Sequence, residues 1–329
     1  MAGLKIKGSG HYLPPHRVSA LEMSEKLGVS LDWLSKCAGV EYRYFAGEET
    51  IASMGAKAIT LAMEKAQITP QEVDLLIAAG STPDQPVPHN SAFIHQELKF
   101  PPHVTPFDVD GTCLSFVHAL IVAKGLLLTG HYRNIVIVSS EKPSVGLNYR
   151  WAESAALFGD GAVALVVAAD EGAKEKGPLA WDFATYSEAV HLAEIPAGGT
   201  RYPTRSMDSV ANEQFLFKME GLHIYKKASQ YLPDFFKGFL QRQNLTLDDF
   251  KMVVPHQASV LALNLMRDKL RISKDKFHIN VQKYGNLVAA SIPMGLHELM
   301  ENKTLVTGDK VLFLSTAAGL TIGAMVFEL

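Results

Sequence analysis

Residues 109–130 read VDGTCLSFVHALIVAKGLLLTG and contain a helical stretch that is apolar on almost every side. Between residues 114 and 128 the interruptions are Ser115, His118, Lys124 and Gly125. Since no face of this helix is polar enough to lie in water, the helix is predicted to be buried between layers of structure. The short length and the two basic side chains argue against a membrane span.

Cys113 stands at the start of this helix. Gly111 and Thr112 suit a tight turn between a strand and a helix, and Phe107 and Val109 indicate the strand. At the first turn of a helix, unsatisfied N–H groups and the helix dipole favour the thiolate, which is the nucleophilic form of cysteine. The alternative is an inert cysteine, because free cysteine is among the most buried residue types.

The composition is typical of a globular protein. The 329 residues can bury a large core and predict two domains or two fused halves. The formal net charge is -3 and no stretch is rich in Lys or Arg, so nucleic acid and anionic membranes are poor candidates as main partners. Small acidic or neutral ligands remain open.

The two cysteines, Cys37 and Cys113, cannot form a disulfide framework. Residues 1–10 lack the apolar stretch of a signal peptide, so a cytoplasmic location is expected. The motifs H-E-x-x-H and C-x-x-C do not occur, and no metal site is predicted.

An internal repeat divides the chain. Residues 68–79 (ITPQEVDLLIAA) match residues 245–256 (LTLDDFKMVVPH) at an offset of 245 − 68 = 177. Residues 126–140 match residues 304–316 at an offset of 311 − 135 = 176. The pattern predicts an N-terminal half, 1–172, and a C-terminal half, 173–329, joined by a charged linker at 170–177. Each half alternates helices with buried strands, which indicates an α/β architecture with layered helices. Chance similarity of two generic helix–strand units is the alternative.

Two polar residues of the second half are candidate site residues for the same reason as Cys113, because each lies at a strand end or a helix start. His256 comes just after a buried strand, and strand ends are where sites form in α/β proteins. Asn286 follows a glycine and opens another helix. The alternatives are a structural histidine and an asparagine that caps its helix. The junction of two halves favours a cleft, in which these residues would meet Cys113.

Together these stretches resemble the thiolase superfamily, and specifically its β-ketoacyl-(acyl carrier protein) synthase III branch. The resemblance rests on Cys113 at its helix start, His256 in VPHQA and Asn286 in GNLVAAS. It also covers residues 32–44 (DWLSKCAGVEYRY), 157–162 (LFGDGA) and 319–327 (GLTIGAMVF), in family order. The resemblance implies a duplicated, five-layered α-β-α-β-α fold and a homodimer.

The resemblance also implies a reaction. Cys113 would hold an acyl group taken from an acyl-CoA thioester, and a malonyl-type thioester would lose carbon dioxide and attack it. His256 and Asn286 would donate hydrogen bonds to the enolate oxygen, and the backbone N–H groups of Cys113 and Ala318 would form the oxyanion hole. No metal or redox cofactor is implied; coenzyme A thioesters enter as substrates.

The substrate-binding residues implied by the resemblance are Trp33, Arg150, Trp151 and Phe158. Trp33 occupies the place of a tryptophan that stacks on the adenine of coenzyme A. The carrier-protein docking motif is atypical, since the run is HQASVLAL; Arg267 and Lys269 are expected to substitute for its basic residue. Residues 85–88 (QPVP) lack a ring to close the acyl pocket, which predicts acyl chains longer than acetyl.

Three functions remain open from the sequence. The first is a decarboxylating condensing enzyme of fatty-acid or polyketide metabolism. The second is an acyltransferase on the same fold that moves the acyl group from Cys113 to an oxygen or nitrogen nucleophile. The third is a non-catalytic partner subunit, although such chains commonly lose one of the three residues that are all present here.

Overall fold

The computed structural model describes residues 3–170, 172, 176–202 and 212–329. The strands are, in chain order, β1 Gly3–Tyr12, β2 His16–Ser19, β3 Tyr42–Phe45, β4 Leu75–Ala79, β5 Thr105–Val109, β6 Asn134–Glu141, β7 Gly161–Asp170, β8 Gly177–Thr185, β9 Ala193–Glu194, β10 Lys218–Met219, β11 Met252–Pro255, β12 Lys310–Ala317 and β13 Thr321–Glu328. The helices are α1 Ala20–Leu27, α2 Leu31–Cys37, α3 Ile51–Ala66, α4 Asn90–Leu98, α5 Ser115–Leu127, α6 Ala152–Ala155, α7 Gly221–Gln243, α8 Val260–Lys269, α9 Val281–Tyr284 and α10 Ser291–Glu301.

The two large sheets have the same strand order. The first runs β1-β7-β6-β4-β5 and the second β8-β13-β12-β11, so that each strand of the second sheet has a counterpart in the first. In both sheets one matched pair is parallel (β4 with β6, β11 with β12) and the next two pairs are antiparallel; in the first sheet β5 is also parallel to β4. Phe277 forms an isolated parallel bridge to Val253, on the strand that corresponds to the neighbour of β5. The structure therefore repeats one topology.

Alternation along the strands produces the layers. Along β4, Leu75 and Ile77 pack toward α5, whereas Leu76 and Ala78 pack toward α3. Along β12, Phe313 packs in the same central cluster as α5, whereas its neighbours face the cluster that contains α7 and α8. Because successive strand residues point to opposite faces, each sheet lies between two helical layers. The predicted five-layered α-β-α-β-α fold is confirmed.

The apolar helix predicted within residues 109–130 is α5, in the central layer with α10. Its polar interruptions have partners. The ring of His118 lies edge-on to Phe183, with centroids 4.6 Å apart, and the ammonium of Lys124 donates to the carbonyl of Pro178. Burial of this helix is thus achieved without an unpaired charge, as the low dielectric of a protein interior requires.

The limits of the halves stay a prediction. β7 ends at Asp170 and β8 begins at Gly177, but half of the predicted linker, residues 171 and 173–175, lies outside the described residues. The central hydrophobic cluster takes residues from both sheets, so the two halves share one core. Within the described residues, no helix is both long and apolar enough to cross a bilayer.

Candidate active site

A strained turn joins β5 to α5 and carries Cys113. Asp110 Oδ1 accepts a hydrogen bond from the backbone N–H of Thr112 at 2.8 Å. The hydroxyl of Ser115 accepts from Gly111 N–H at 3.0 Å and donates to the carbonyl of Thr112 at 2.7 Å. Thr112 has φ 51°, a left-handed conformation that β-branched residues rarely adopt. The side-chain hydrogen bonds hold the turn in this conformation and so fix Cys113 ahead of the helix.

Cys113 is a thiol rather than a thiolate in this environment. Burial raises its pKa to about 12, and the nearby carboxyl of Glu141 adds to the shift. The backbone N–H groups of Cys113 and Ala318 face the sulfur and oppose it. The expectation that the helix start favours the thiolate is therefore wrong for the resting site, because burial outweighs the local N–H groups. The two N–H groups are those predicted for the oxyanion hole.

His256 lies immediately after β11, as predicted. Its backbone N–H donates to the carbonyl of Leu314 at 2.8 Å, and the neighbouring Gln257 amide bonds the carbonyl of His278 at 3.1 Å, which ties the segment to the chain that leads to α9. Burial lowers the pKa of His256 to about 4, with a backbone interaction at Val288 in opposition. The imidazole is thus neutral near pH 7 and offers one N–H donor.

The asparagine turn is held by the chain around Phe158. The backbone N–H of Asn286 donates to Leu157 at 2.8 Å, and its carbonyl accepts from Gly159 at 3.1 Å. A Cβ on Gly285, at φ 72°, would approach the Leu157 carbonyl to 2.8 Å, so only glycine fits there. Asn286 Oδ1 accepts from the N–H of Val288 at 2.9 Å. The asparagine therefore caps the turn with its oxygen, which leaves its NH₂ group to a ligand.

One cavity of about 530 Å³ brings the predicted catalytic residues together. Cys113, His256, Asn286 and Ala318 all line it. Most of the remaining wall is apolar, and nine of its residues lie between Ala189 and Ile224, among them Leu192, Ile195, Phe217 and Met219. Among the described residues, the buried Nδ1 of His256 has no hydrogen-bond partner, as expected beside a site that takes a polar ligand. A long apolar group and a thioester fit this lining.

The predicted coenzyme A residues are dispersed. Phe158 lines the cavity and lies edge-on to Phe217, with ring centroids 5.2 Å apart. Trp33 packs on the hydrophobic cluster of the second sheet from α2. Arg150 pairs with Glu213 at 2.6 Å on the surface, and Trp151 is 44% exposed. The last three do not line the cavity, and their role with coenzyme A stays a prediction.

Two details of the sequence interpretation change. Val87 is 78% exposed and does not line the cavity, so the missing ring at residues 85–88 leaves this chain's own cavity unchanged. Arg267 is buried and bonds Asp268 at 2.7 Å and Asn264 at 2.8 Å, so it is not available as a docking residue. Lys269, on the same helix, is exposed.

Glu141 is the functional candidate that sequence reasoning missed. It ends β6 with no exposed surface, and burial raises its pKa to about 7. Its contact with Cys113 is electrostatic. In the sequence, Glu141 directly follows the predicted strand NIVIVSS. An acidic residue there resembles an ordinary surface residue at the end of a buried strand.

Two family models match the chain. Residues 107–187 match the model described as 3-oxoacyl-[acyl-carrier-protein (ACP)] synthase III, which covers Cys113. Residues 240–329 match the model for the C-terminal part of the same enzymes, which covers His256 and Asn286.

Individual relatives cover the whole chain. The β-ketoacyl-[acyl-carrier-protein] synthase III of Aliarcobacter butzleri is 34% identical, over 98% of this chain and 97% of the relative. The crystal structure of 3-oxoacyl-[acyl-carrier-protein] synthase III from Aquifex aeolicus has a TM-score of 0.87 at 30% identity, covering 99% of this chain and 100% of that one. The priming β-ketosynthase of the R1128 polyketide pathway has a TM-score of 0.89 at 24% identity, covering 99% and 96%, and is alike in fold.

Proposed function

The chain belongs to the β-ketoacyl-[acyl-carrier-protein] synthase III family of condensing enzymes, and from that premise we propose that Cys113, His256 and Asn286 carry out its acyl transfer and condensation. The observation that supports this assignment is one cavity lined by all three residues, with two backbone N–H groups at the sulfur of Cys113. The chain is accordingly an enzyme that transfers acyl groups.

In the loading step, the sulfur of Cys113 attacks the carbonyl carbon of an acyl thioester. The oxygen becomes negative as the new C–S bond forms, and the N–H groups of Cys113 and Ala318 face that position. The old C–S bond then breaks, and the thiol of the donor leaves with the proton that Cys113 has lost. The result is an acyl group held covalently on Cys113.

In the condensing step, a malonyl-type thioester loses carbon dioxide and its electron pair forms an enolate. The N–H of neutral His256 and the NH₂ of Asn286 are the donors for the enolate oxygen. The enolate carbon attacks the acyl carbonyl, and the C–S bond to Cys113 breaks. A 3-oxoacyl thioester leaves, and the thiolate of Cys113 takes up a proton from water.

The apolar lining supports an acyl substrate longer than acetyl. Phe217, Met219 and Ile224 form part of this wall beyond the catalytic residues. Each buried CH₂ contributes about 0.8 kcal/mol to binding, so several methylenes would raise the affinity markedly. The acyl donor is proposed to be a coenzyme A thioester, and the malonyl donor either a coenzyme A or a carrier-protein thioester.

A homodimer is proposed from the exposed edge of the first sheet. β5 is the last strand of that sheet, and an uncovered strand edge offers unpaired N–H and C=O groups to another chain. Val87, 78% exposed, lies in the loop before α4 and adds an apolar surface to be covered. Sedimentation equilibrium measures the mass; a monomer at micromolar concentration would count against the dimer.

The assignment is tested by two measurements on wild-type protein. Intact mass after incubation with acyl-CoAs of increasing length should show one acyl group, and peptide mass should map it to Cys113. Carbon dioxide should then be released from malonyl-CoA or malonyl carrier protein by the preloaded enzyme. If no malonyl donor releases carbon dioxide, while an alcohol or amine accepts the acyl group, the simple acyltransferase replaces the condensing enzyme.

A further inference from the structure

The carboxyl of Glu141 is buried at the point where three segments meet. Its Oε1 accepts the backbone N–H of Ser81 at 3.0 Å. Its Oε2 accepts the backbone N–H of Thr82 at 3.0 Å and also the hydroxyl of Thr82. A Cβ on Gly80 would lie 3.2 Å from Oε1, so this loop is packed closely over the carboxyl. Glu141 thus holds the Ser81–Thr82 wall of the cavity.

The same carboxyl faces the turn that carries Asn286, the proposed hydrogen-bond donor from the second half of the chain. The backbone N–H of Ala289 is directed at Glu141, and Ala289 is three residues after Asn286. The turn of Ala289 packs on both β6 and the turn of Cys113, and the charge of Glu141 acts on Cys113. One side chain therefore contacts the cavity wall and the asparagine turn, and lies within electrostatic reach of the nucleophile.

We propose that Glu141 is a positioning residue of the condensing site, whose carboxyl fixes the Ser81–Thr82 wall and the Asn286 turn and whose charge controls how readily Cys113 loses its proton. This inference rests on the proposed role of Cys113. It adds a fourth side chain to the three that the reaction uses, and that side chain acts through its neighbours rather than on the substrate.

The direction in which Glu141 changes the deprotonation of Cys113 follows from repulsion between like charges. An ionised Glu141 disfavours a second negative charge on Cys113, whereas a neutral Glu141 does not. Because burial raises the pKa of Glu141 to about 7, its charge changes within the working range of pH. The groups that face Glu141 are Ser81, Thr82, Ala289 and Cys113; those that face Cys113 include Asp110, and His256 is neutral.

Coupling of two acids gives a distinct pH profile. Below about pH 7 the thiolate fraction of Cys113 rises tenfold per pH unit; while Glu141 ionises the logarithmic slope falls to about half, here called the flat region, and above it the full slope returns. Glu141→Gln removes the second acid and predicts a straight line without the flat region. Above the flat region the thiolate fraction should be about tenfold higher in Glu141→Gln, equivalent to about one pKa unit.

The experiment is the rate of iodoacetamide alkylation between about pH 6 and about pH 10, where thiolate is the reacting form. Peptide mass reads Cys113 separately from Cys37. Asp160→Asn is the matched control, because Asp160 is equally buried and accepts two backbone N–H groups and one hydroxyl, from Ala46 and Ser144. The alkylation profile of Asp160→Asn should keep the flat region. The proposal is overturned if wild type and Glu141→Gln have identical profiles, or if Asp160→Asn loses the flat region as Glu141→Gln does.

Two further variants separate charge from position. Glu141→Asp keeps the charge on a shorter side chain, so the flat region should stay while condensation slows; loss of the flat region in this variant would contradict a role for charge. If Glu141→Gln does not fold, Thr82→Val is measured instead. It removes a hydroxyl that stabilises the carboxylate, so the flat region should move to higher pH, and an unmoved flat region overturns the proposal.

The alkylation measurement contains no acyl or malonyl substrate. A failure of the condensing assignment would appear in wild type as absent loading or absent carbon dioxide release. A failure of the Glu141 proposal appears in the alkylation profiles of the variants, whether or not wild type loads and condenses. The two outcomes are therefore distinguishable.

Discussion

The turn that carries Cys113 and the turn that begins at Asn286 are built in the same way, 286 − 110 = 176 residues apart. In the first, Asp110 Oδ1 accepts the N–H of Thr112 at 2.8 Å; in the second, Asn286 Oδ1 accepts the N–H of Val288 at 2.9 Å. Thr112 and Val288 have φ 51° and φ 50°. Both turns therefore hold a β-branched residue in a left-handed conformation with a side-chain oxygen two residues earlier.

The helix that follows each turn contributes the same serine. Ser115 accepts the backbone N–H of Gly111 at 3.0 Å, and Ser291 accepts that of Leu287 at 3.1 Å. These two pairs are again 176 residues apart, since 291 − 115 = 176. The duplication thus extends from strand order to individual hydrogen bonds.

The two turns differ in the side chains that they present. The position of Cys113 is taken by Ala289 in the second turn, and the position of Asn286 is taken by Asp110 in the first. The first turn has a nucleophile and a carboxylate; the second has a methyl group and an amide. In the proposed mechanism the same backbone arrangement therefore has two tasks: one turn holds the sulfur that takes an acyl group, and the other holds a neutral donor where enolate charge develops.

Replacing Cys113 by alanine, the residue at the matched position of the second turn, gives the largest expected effect on activity. Cys113→Ala should abolish acyl loading, because no other side chain at the two N–H groups can form a thioester. Intact mass after incubation with acyl-CoA measures the loading. Cys37→Ala is the control and should load as wild type does; an acyl group that persists in Cys113→Ala would place the nucleophile elsewhere.

Giving the second turn the carboxyl of the first is the next test. Asn286→Asp keeps the acceptor for Val288 N–H but removes the NH₂ donor and adds negative charge. Condensation should fall by roughly a hundredfold to a thousandfold, as when an oxyanion donor is lost, while loading of Cys113 changes little. Single-turnover carbon dioxide release from preloaded enzyme measures condensation.

The reciprocal change, Asp110→Asn, serves as the control. It keeps the acceptor for Thr112 N–H and removes a charge that raises the pKa of Cys113, so loading should be kept or modestly faster. If Asn286→Asp loses loading and condensation together while folded, the separation of tasks between the two turns is wrong.

Much of this fold could be predicted from the sequence, because the repeat is visible in short stretches of the chain. The offsets of 177 and 176 correspond to β4 with β11 and to β6 with β12, which occupy equivalent places in the two sheets. Short buried strands and an apolar helix have periodicities that a single chain displays. The hydrogen-bond match between Asp110 and Asn286 was hidden, because the two side chains are different residue types.

The electrostatics of the site could not be predicted from local sequence. A helix start indicates a stabilised thiolate at Cys113, yet burial and Glu141 raise its pKa. Glu141 itself is buried by the Ser81–Thr82 loop and by Ala289, which are far from it in the chain. Such long-range contacts leave no periodic signal, so a buried acid and a surface acid look alike in sequence.

Among the matched positions at which the central helices differ, α10 has His297 where α5 has Ile121 (297 − 121 = 176). His297 Nδ1 contacts the Ser9 hydroxyl at 2.9 Å and its Nε2 contacts His11 Nδ1 at 2.8 Å. Burial, then His11 and Lys65, lower the pKa of His297 to about 4, while Glu298 and Glu301 act in the opposite direction.

A depressed histidine pKa destabilises the folded protein in acid. At pH 7 both states are neutral; as pH falls below about 6.5 the unfolded histidine binds a proton that the folded one does not, until the folded pKa near 4 is reached. The free energy of unfolding should fall by about 2 kcal/mol more between about pH 7 and about pH 5 in wild type than in His297→Gln. Urea denaturation at both pH values measures it; equal falls would contradict the assignment.

The smallest expected difference lies between the two matched serines. Ser115 accepts from Gly111 and also donates to Thr112, whereas Ser291, within the described part of the chain, has one bond, from Leu287. Both serines are buried, so Ser→Ala leaves a backbone N–H without its partner, at a cost of about 1 to 3 kcal/mol. Ser115→Ala should be more destabilising than Ser291→Ala by about 1 kcal/mol, because it breaks one more hydrogen bond of a strained turn.

Urea denaturation gives both values under one condition, and Ser53→Ala, at the exposed start of α3, provides a surface serine for reference. The two turns also predict separate functional losses. Ser115→Ala should loosen the turn of Cys113 and slow loading, whereas Ser291→Ala should slow condensation with loading kept, since its turn carries Asn286. If both variants slow the same step equally, the two turns do not act as separate supports, and the matched hydrogen bonds serve only to stabilise the fold.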